Sequence, residues 1–193
     1  MFRTLTFMAA FAGCATILSA QAMYPDTFKV NYFSNAVPLI IDPPPVPPDA
    51  TVRLTNAGTS GGNLCADLYV FDPNQELSEC CSCLITPDGL LTLSVDIDLA
   101  DNPLTGVPLN TGTIKILSAA TTNGSCVLPT SPKPSPGIHA WATHLQDGGS
   151  AMTETEFLDS GLSAAKLSRL GSECSAIKLV GSGKGVCRCR LPG

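Results

Sequence analysis

Two short cysteine pairs constrain this chain more than any other feature of its sequence. Cys81 and Cys83 stand one residue apart, and so do Cys187 and Cys189 near the C-terminal end. Side chains two residues apart on an extended strand point to the same face, so each pair can present both sulfurs to one partner. We expect the two pairs to join neighbouring strands through a double disulfide bridge.

The number of cysteines supports a disulfide framework. The chain contains nine, and one of them, Cys14, lies in the expected leader. The remaining even number predicts four bridges in an exported protein. Besides the double bridge we expect Cys65 to pair with Cys80 and Cys126 with Cys174, which is one choice among roughly a hundred connectivities. The disulfide candidates are Cys65, Cys80, Cys81, Cys83, Cys126, Cys174, Cys187 and Cys189.

Residues 1–22 predict a secretory signal peptide. Arg3 supplies a positive charge, residues 5–18 form an apolar run too short to span a bilayer, and Ala20-Gln21-Ala22 fits the small-x-small cleavage rule. A lipoprotein alternative stays open, because Phe11-Ala12-Gly13-Cys14 resembles a processing site that would place a lipid anchor on the cysteine. We expect a secreted, surface-attached or periplasmic protein with no transmembrane segment in its mature chain.

The mature chain divides into a short N-terminal segment and one domain. Residues 23–48 hold a strand over 27–33, a short apolar run over 36–41 and a proline-rich connection. Residues 49–193 are expected to form the disulfide-stapled domain. A chain of this length buries about 70% of its unfolded surface, so a hydrophobic core supports the fold and the bridges add to its stability.

Short apolar segments between turn-rich loops predict a mainly all-β fold. Leu91 to Ile97 is apolar at every second position and follows the turn Pro87-Asp88-Gly89, whose glycine is expected to adopt positive φ. Residues 64–71 are largely apolar on both faces, which predicts a central strand. We therefore expect an antiparallel β-sandwich. Its other strands are expected over 51–55, 113–119, 138–145, 177–180 and 186–190.

One segment predicts a helix near the C-terminal end. Ser163 is a suitable N-cap, and Leu162 and Leu167 occupy the positions of a hydrophobic staple. The apolar stripe that follows at helical spacing consists of Leu167, Leu170, Cys174 and Ile177. The expected fold is thus a β-sandwich with a single C-terminal helix.

Three features suggest site chemistry, and each has a structural alternative. Cys-x-Cys pairs bind soft metals, but structural zinc more often uses two-residue spacers and export favours disulfides. Asp96, Asp98 and Asp101 resemble a calcium cluster but match no calcium loop. Gly58-Thr59-Ser60-Gly61-Gly62 is similar to the nucleophile loop of trypsin-like proteases, yet both histidines of the chain follow it. We expect no catalytic residue, no cofactor and no metal.

The spacing of the two histidines and of two glutamates along the chain does not predict an acid–base site. His139 and His144 are five residues apart, so on one strand they point to opposite faces. Glu154 and Glu156 share a face, which is typical of a solvated strand. These residues therefore give no nucleophile, base and orienting group within one segment.

The aromatic residues and the charge indicate which partners to expect. Trp141 together with Tyr69 suggests a sugar-stacking platform, although a single tryptophan in a sandwich is more often part of the core. Removal of Arg3 with the leader leaves 10 basic and 16 acidic residues, a net charge of −6. This acidity argues against nucleic acid and anionic membranes, so we expect an extracellular protein or a glycan as partner.

A set of motifs after Pro48 carries a family resemblance. The motifs are Asn63-Leu64-Cys65-Ala66, Tyr69-Val70-Phe71-Asp72, Glu79-Cys80-Cys81-Ser82-Cys83, Thr86-Pro87-Asp88-Gly89-Leu90, Ala140-Trp141-Ala142-Thr143-His144 and Thr153-Glu154-Thr155-Glu156-Phe157-Leu158. They resemble a family of uncharacterised secreted, cysteine-containing proteins from acidobacteria. The resemblance implies a bacterial exported protein and no particular activity. The expected architecture is also similar to immunoglobulin-like sandwiches, a likeness that does not determine function.

These observations favour a non-enzymatic structural or adhesive module, secreted or at the cell surface. The main alternative is a carbohydrate-binding module that uses Trp141. A metal-binding or hydrolytic extracellular protein ranks third, because the sequence assembles neither a metal motif nor a catalytic set.

Overall fold

The structure, a computed structural model, describes most of the chain after the expected leader. The described residues are 24–35, 49–100, 106, 109–128, 132–147, 150–180 and 187–189. The expected signal peptide with Cys14, the apolar run 36–41, the proline-rich connection and Asp101 lie outside them. Within the described residues, no helix is long and apolar enough to cross a membrane.

The described residues form an all-β fold of nine strands with one α-helix after them. The strands are β1 (Phe28–Ser34), β2 (Thr51–Asn56), β3 (Leu64–Phe71), β4 (Leu77–Ile85), β5 (Leu90–Ser94), β6 (Thr111–Ala120), β7 (Ile138–Gln146), β8 (Ala151–Glu156) and β9 (Leu158–Asp159), and the helix is α1 (Ala164–Val180). The expected fold class, with one C-terminal helix and several disulfides, is therefore confirmed.

The strands lie in two layers that share hydrogen bonds along one side. One layer has the order β4-β3-β6-β1 and the other the order β8-β7-β2-β5. Neighbours within each layer are antiparallel, and the layers meet where β1 and β7 pair in parallel at Ser34 and His144. The strands β4 and β5 are thus the outermost members of their layers on the opposite side.

A bent segment also carries the chain from one layer to the other. β8 pairs with β7, whereas β9, which follows directly, pairs with β1. Between them the amide of Phe157 donates to the carbonyl oxygen of Ala140 at 2.8 Å, and the phenylalanine side chain is buried between the layers. Burial of this ring fixes the bend.

The inner core lies between the layers and receives side chains from both. Leu54 and Ala142 of one layer and Leu68 and Ile116 of the other are fully buried there. All eight residues of β3 are buried, which confirms that this strand is central. Alternate residues of β3 face the inner core, and the others face a second, outer core.

Helix α1 covers the outer face of the β4-β3-β6-β1 layer. Leu170 and Ile177 of the helix pack with Tyr69 and Leu117 of the sheet in the outer core. The Ser163 hydroxyl accepts a hydrogen bond from the amide of Lys166 at 3.2 Å, which confirms the predicted N-cap.

The two strands expected last in the chain, over 177–180 and 186–190, are not strands where the structure describes them. Residues 177–180 belong to α1, because Ile177 continues the apolar stripe against the sheet. The described part of the expected last strand, residues 187–189, has irregular backbone. Its position is set by two disulfides instead of by strand pairing.

The strand β5 ends at Ser94, three residues before the predicted end. Val95–Leu99 forms a single π-helical turn. The Ser94 hydroxyl accepts from the amide of Ile97 at 2.9 Å, and the Asp98 carboxylate accepts from the amide of Ser94 at 2.9 Å. These local side-chain bonds offer the backbone an alternative to the strand ladder.

The turn before β5 lies at the predicted position, but the residue with positive φ is not the predicted one. Positive φ, at 58°, falls on Asp88 and not on Gly89. Glycine is required at position 89 because a Cβ atom there would lie 2.8 Å from the carbonyl oxygen of Thr86. The Gly89 amide donates to that same oxygen at 2.9 Å, so the turn is too tight for a side chain.

Candidate functional site

The eight candidate cysteines form four disulfides. The bridges are Cys65–Cys126, Cys80–Cys174, Cys81–Cys187 and Cys83–Cys189. The double bridge between the two Cys-x-Cys pairs is the one that the spacing predicts. The other two expected pairs, Cys65–Cys80 and Cys126–Cys174, are wrong.

The register of the β3–β4 pair explains the wrong pairings. Cys65 lies opposite Leu84, whereas Cys80 lies opposite Tyr69. Along a strand this offset amounts to about 13 Å, well beyond the roughly 7 Å that a disulfide can bridge between Cα atoms. Cys65 instead meets Cys126 in the loop after β6, and Cys80 meets Cys174 in α1.

The double bridge holds residues 187–189, here named the C-terminal strap, across the open side of the sandwich. Cys187 is buried in the inner core, and Cys189 is partly buried against it. The amide of Arg188 donates to the carbonyl oxygen of Asp98 at 3.2 Å. The C-terminal strap therefore contacts both β4 and the π-helical turn that follows β5.

Three sulfurs of the double bridge lie close together. The Sγ atoms of Cys81 and Cys83 are 3.8 Å apart. Those of Cys81, Cys83 and Cys189 all lie within 4.8 Å of one another, and among the described residues this is the sole group of three or more metal-ligating side chains at such distances. As disulfides these sulfurs carry no thiolate, so the cluster is a cross-link in its oxidised form.

The aspartates after β5 have structural roles in the π-helical turn. Asp98 is buried, and its carboxylate accepts from the Ser94 amide. The amide of Asp96 donates to the carboxylate of Asp49 at 2.9 Å, and the Ser94 hydroxyl donates to that carboxylate as well. Asp101 lies outside the described residues. The other two members of the expected calcium cluster, Asp96 and Asp98, form hydrogen bonds that organise this turn.

The glycine loop 58–62 forms a tight turn. The amide of Gly61 donates to the carbonyl oxygen of Gly58 at 3.0 Å, and both residues have positive φ. The Ser60 hydroxyl donates to the carbonyl oxygen of Gly62 at 3.3 Å. The hydroxyl hydrogen is thus directed to backbone and not to a histidine, which favours the structural interpretation of the loop.

Trp141 stands at the centre of an exposed face of the β8-β7-β2-β5 layer. The strand register places Arg53 on one side of it and Glu156 on the other. The His139 and Trp141 rings lie with their centroids 6.3 Å apart and their planes 23° from parallel. Trp141 is half-buried and belongs to neither core. We name this set the Trp141 surface: Arg53, His139, Trp141, Glu154 and Glu156.

An ion pair and a histidine–carboxylate contact flank the indole ring on the Trp141 surface. Arg53 pairs with Glu154, and the Nδ1 atom of His139 lies 3.8 Å from a carboxylate oxygen of Glu156. All four side chains are about half exposed, between 42% and 57% of their surface. Exposed pairs of this kind are worth little to stability, so these groups can exchange partners with a ligand.

The expected platform of Trp141 with Tyr69 is wrong. Tyr69 is fully buried in the outer core beneath α1. Trp141 lies on the other layer of the sandwich, on β7. The sequence pattern shows that β3 is apolar on both faces. Helix α1 covers the outer face and shields Tyr69 from solvent.

The two histidines have different environments. His139 is on the Trp141 surface, whereas His144 is fully buried where β1 meets β7. The Tyr32 ring stacks on His144 with centroids 3.9 Å apart, and the Nε2 atom of His144 lies 2.6 Å from the Thr155 hydroxyl. Burial lowers the pKa of His144. The sequence spacing predicts the separation of the histidines but not the aromatic stack.

Two of three comparisons with known proteins find no match. No protein-family model matches it, and no curated protein matches it. Among solved structures it is similar to the Anabaena sensory rhodopsin transducer, with 11% sequence identity and a TM-score of 0.35. That match covers 66% of this chain and 94% of the transducer, and at this TM-score it carries no argument.

Proposed function

We propose that this chain is an exported, non-enzymatic β-module with a structural or adhesive role, secreted or at the cell surface. The single observation that carries the proposal is the pairing of eight cysteines in four bridges. Disulfides of this number persist in oxidising compartments and are rare where thiols are kept reduced.

The positions of the bridges support a role as a rigid scaffold. Cys65 ties β3 to the loop after β6, and Cys80 ties β4 to α1. The double bridge ties β4 to the C-terminal strap. Helix α1, the loop after β6 and the C-terminal strap are therefore held to the β4-β3-β6-β1 layer by covalent bonds as well as by packing. Such a frame suits a module that presents loops and faces to an extracellular partner.

Localisation and thiol chemistry test this proposal together. The full chain is produced in a bacterial host, the cells are fractionated, and the N-terminus is determined by mass spectrometry. We expect a mature chain that begins at Met23, lies outside the cytoplasm and gives no reaction with Ellman's reagent before reduction. A chain that keeps residues 1–22, remains in the cytoplasm and carries reactive thiols would contradict the proposal. A lipidated N-terminus at Cys14 would support the lipoprotein form of export.

A second candidate function, glycan binding, is favoured by the Trp141 surface. Sugar rings present apolar CH faces that stack on aromatic rings, and hydroxyl groups that bond to charged side chains. Here the half-buried indole of Trp141 lies in one row between Arg53 and Glu156. Three neighbouring strands give this row a width of about 10 Å, enough to contact more than one sugar ring.

A glycan array with three proteins tests the second candidate. Wild type is compared with Trp141→Ala and with Leu179→Ala, which removes an 82% exposed side chain from α1 on the far side of the molecule. We expect micromolar binding that Trp141→Ala weakens at least 10-fold and Leu179→Ala leaves unchanged. Equal binding by all three proteins would exclude the Trp141 surface as the site. If none of the proteins binds a glycan, glycan binding is rejected and only the structural or adhesive role remains.

A further inference from the structure

We propose that the double bridge, once reduced, is a zinc site in which Cys81, Cys83, Cys187 and Cys189 supply four thiolates. This inference goes beyond the scaffold role and does not depend on it. It follows from the arrangement of the sulfurs on β4 and on the C-terminal strap.

The spacing of the sulfurs on β4 already fits tetrahedral zinc. With zinc–sulfur bonds of about 2.3 Å, neighbouring sulfurs of a four-thiolate site lie about 3.8 Å apart. The Sγ atoms of Cys81 and Cys83 are 3.8 Å apart in the oxidised protein. A third sulfur, that of Cys189, lies within 4.8 Å of both. Two ligands are thus in place, and a third is close to its required position.

The other two ligands, Cys187 and Cys189, are on the C-terminal strap, which can shift its position. β4 is held in its layer by pairing with β3 along its length, so Cys81 and Cys83 stay in position. The C-terminal strap has one backbone hydrogen bond to the rest of the described chain, from Arg188 to Asp98. Opening each bridge requires its sulfurs to separate by about 2 Å, and movement of the strap supplies this shift.

The conversion balances with a dithiol as reductant. Each disulfide accepts two electrons and two protons from one dithiol, which becomes a disulfide, so two dithiols yield four protein thiols. Binding of Zn²⁺ then displaces four protons and leaves a centre of net charge −2. Arg188, between the two ligands of the strap, brings one positive charge to the same segment.

The remaining bridges do not form a comparable site. Cys80 points into the outer core, whereas its neighbour Cys81 points into the inner core. Cys65 and Cys126 meet at the end of β3, away from the other sulfurs. The bound metal would hold the C-terminal strap where the disulfides hold it. The protein would thereby keep the open side of its sandwich closed in reducing as well as oxidising surroundings.

The wild-type chain allows a direct test. It is reduced with a phosphine, desalted without oxygen and titrated with Co²⁺ as a spectroscopic probe, then with Zn²⁺. We expect one equivalent of Co²⁺ with thiolate-to-metal absorption, which one equivalent of Zn²⁺ removes. Alkylation of the zinc-loaded chain should then spare Cys81, Cys83, Cys187 and Cys189 and modify the other cysteines. Absence of the absorption, or protection spread evenly over the cysteines, would overturn the proposal.

Matched variants separate the cluster from cysteine content alone. In the first variant Cys81, Cys83, Cys187 and Cys189 are replaced by alanine. In the second variant Cys65, Cys80, Cys126 and Cys174 are replaced by alanine. After removal of residues 1–22 both reduced variants keep four thiols, but only the second keeps Cys81, Cys83, Cys187 and Cys189. We expect at least 100-fold tighter zinc binding by the second variant. Equal affinities would overturn the proposal, and the alkylation pattern of wild type decides the question if either variant does not fold.

Discussion

Ser82 of β4 donates its hydroxyl hydrogen to the carboxylate of Asp67 on β3, on the face of their layer that carries the outer core. The second carboxylate oxygen of Asp67 is buried and has no hydrogen-bond partner within the described residues. Burial disfavours the charged form and raises the pKa of Asp67 to about 7, although the bond from Ser82 opposes this shift. A carboxyl group that is protonated in mildly acidic solution therefore lies inside the outer core.

The first prediction concerns this carboxyl group. Because its pKa in the folded state is raised, it contributes stability below its unfolded value of about 4, and this contribution is lost as pH rises through 7. Asp67→Asn keeps an acceptor for Ser82 but does not titrate. We expect the variant to be more stable than wild type at pH 8, by up to about 4 kcal/mol, and similar to it at pH 4. Thermal unfolding of both proteins across pH measures this difference, and a constant difference would contradict the assignment.

The second prediction concerns His144, which has the opposite dependence. Its pKa is lowered by burial, so its contribution to stability is present above the unfolded value of about 6.5 and is lost as pH falls below it. His144→Phe retains a ring for Tyr32 to stack on and removes the titration. We expect wild type to lose stability relative to this variant between pH 7.5 and pH 5. If wild type and the variant lose stability in parallel over this range, His144 does not carry the dependence.

The third prediction concerns the double bridge. Because Cys80–Cys174 already links the two segments, the first bridge of the pair closes an additional ring of only about 15 residues, which corresponds to about 3 kcal/mol of loop entropy. With one bridge in place, the second closes only a ring of a few residues, worth about 2 kcal/mol. We expect replacement of Cys83 and Cys189 by alanine to cost about 2 kcal/mol, and replacement of all four cysteines about 5 kcal/mol. Urea unfolding measures both values, and a loss of about 5 kcal/mol from the first pair alone would contradict this coupling.

The fourth prediction concerns Gly112 in β6. A Cβ atom at this position would lie 2.2 Å from the carbonyl oxygen of Phe71 and 2.7 Å from the ring of Phe33. Since a backbone group and a buried ring cannot both move aside, we expect Gly112→Ala to cost more than 3 kcal/mol. Gly161→Ala is the matched control, because a Cβ there meets no atom within 4 Å. Similar unfolding temperatures for the two variants would show that the sheet adapts.

The sequence predicted those features that depend on local pattern. Alternation gave the positions of most strands, and the apolar stripe after Ser163 gave the helix and its N-cap. The i,i+2 geometry of a strand gave the double bridge, because two sulfurs on one face need a partner with the same spacing. Each of these depends on residues close together in the chain.

The features that the sequence did not predict depend on long-range arrangement. Lys29 occupies a polar position of the pattern in β1, yet it is buried and pairs with Asp26 at 2.7 Å and Asp159 at 2.6 Å. The pairing of Cys80 with Cys174 requires knowledge that α1 packs over β4. The Trp141 surface likewise depends on the register of three strands. All three depend on how the strands and the helix are arranged in space, which spacing along the chain does not determine.

The overlap of the four bridges has a consequence for survival among proteases. Every peptide bond from Cys65 to Cys189 is enclosed by at least one of the rings that these bridges close. A single cut anywhere in that interval leaves both fragments attached, and they separate only after a reducing agent is added. A nicked molecule therefore keeps its mass on a non-reducing gel and keeps both of its parts at the place where it acts.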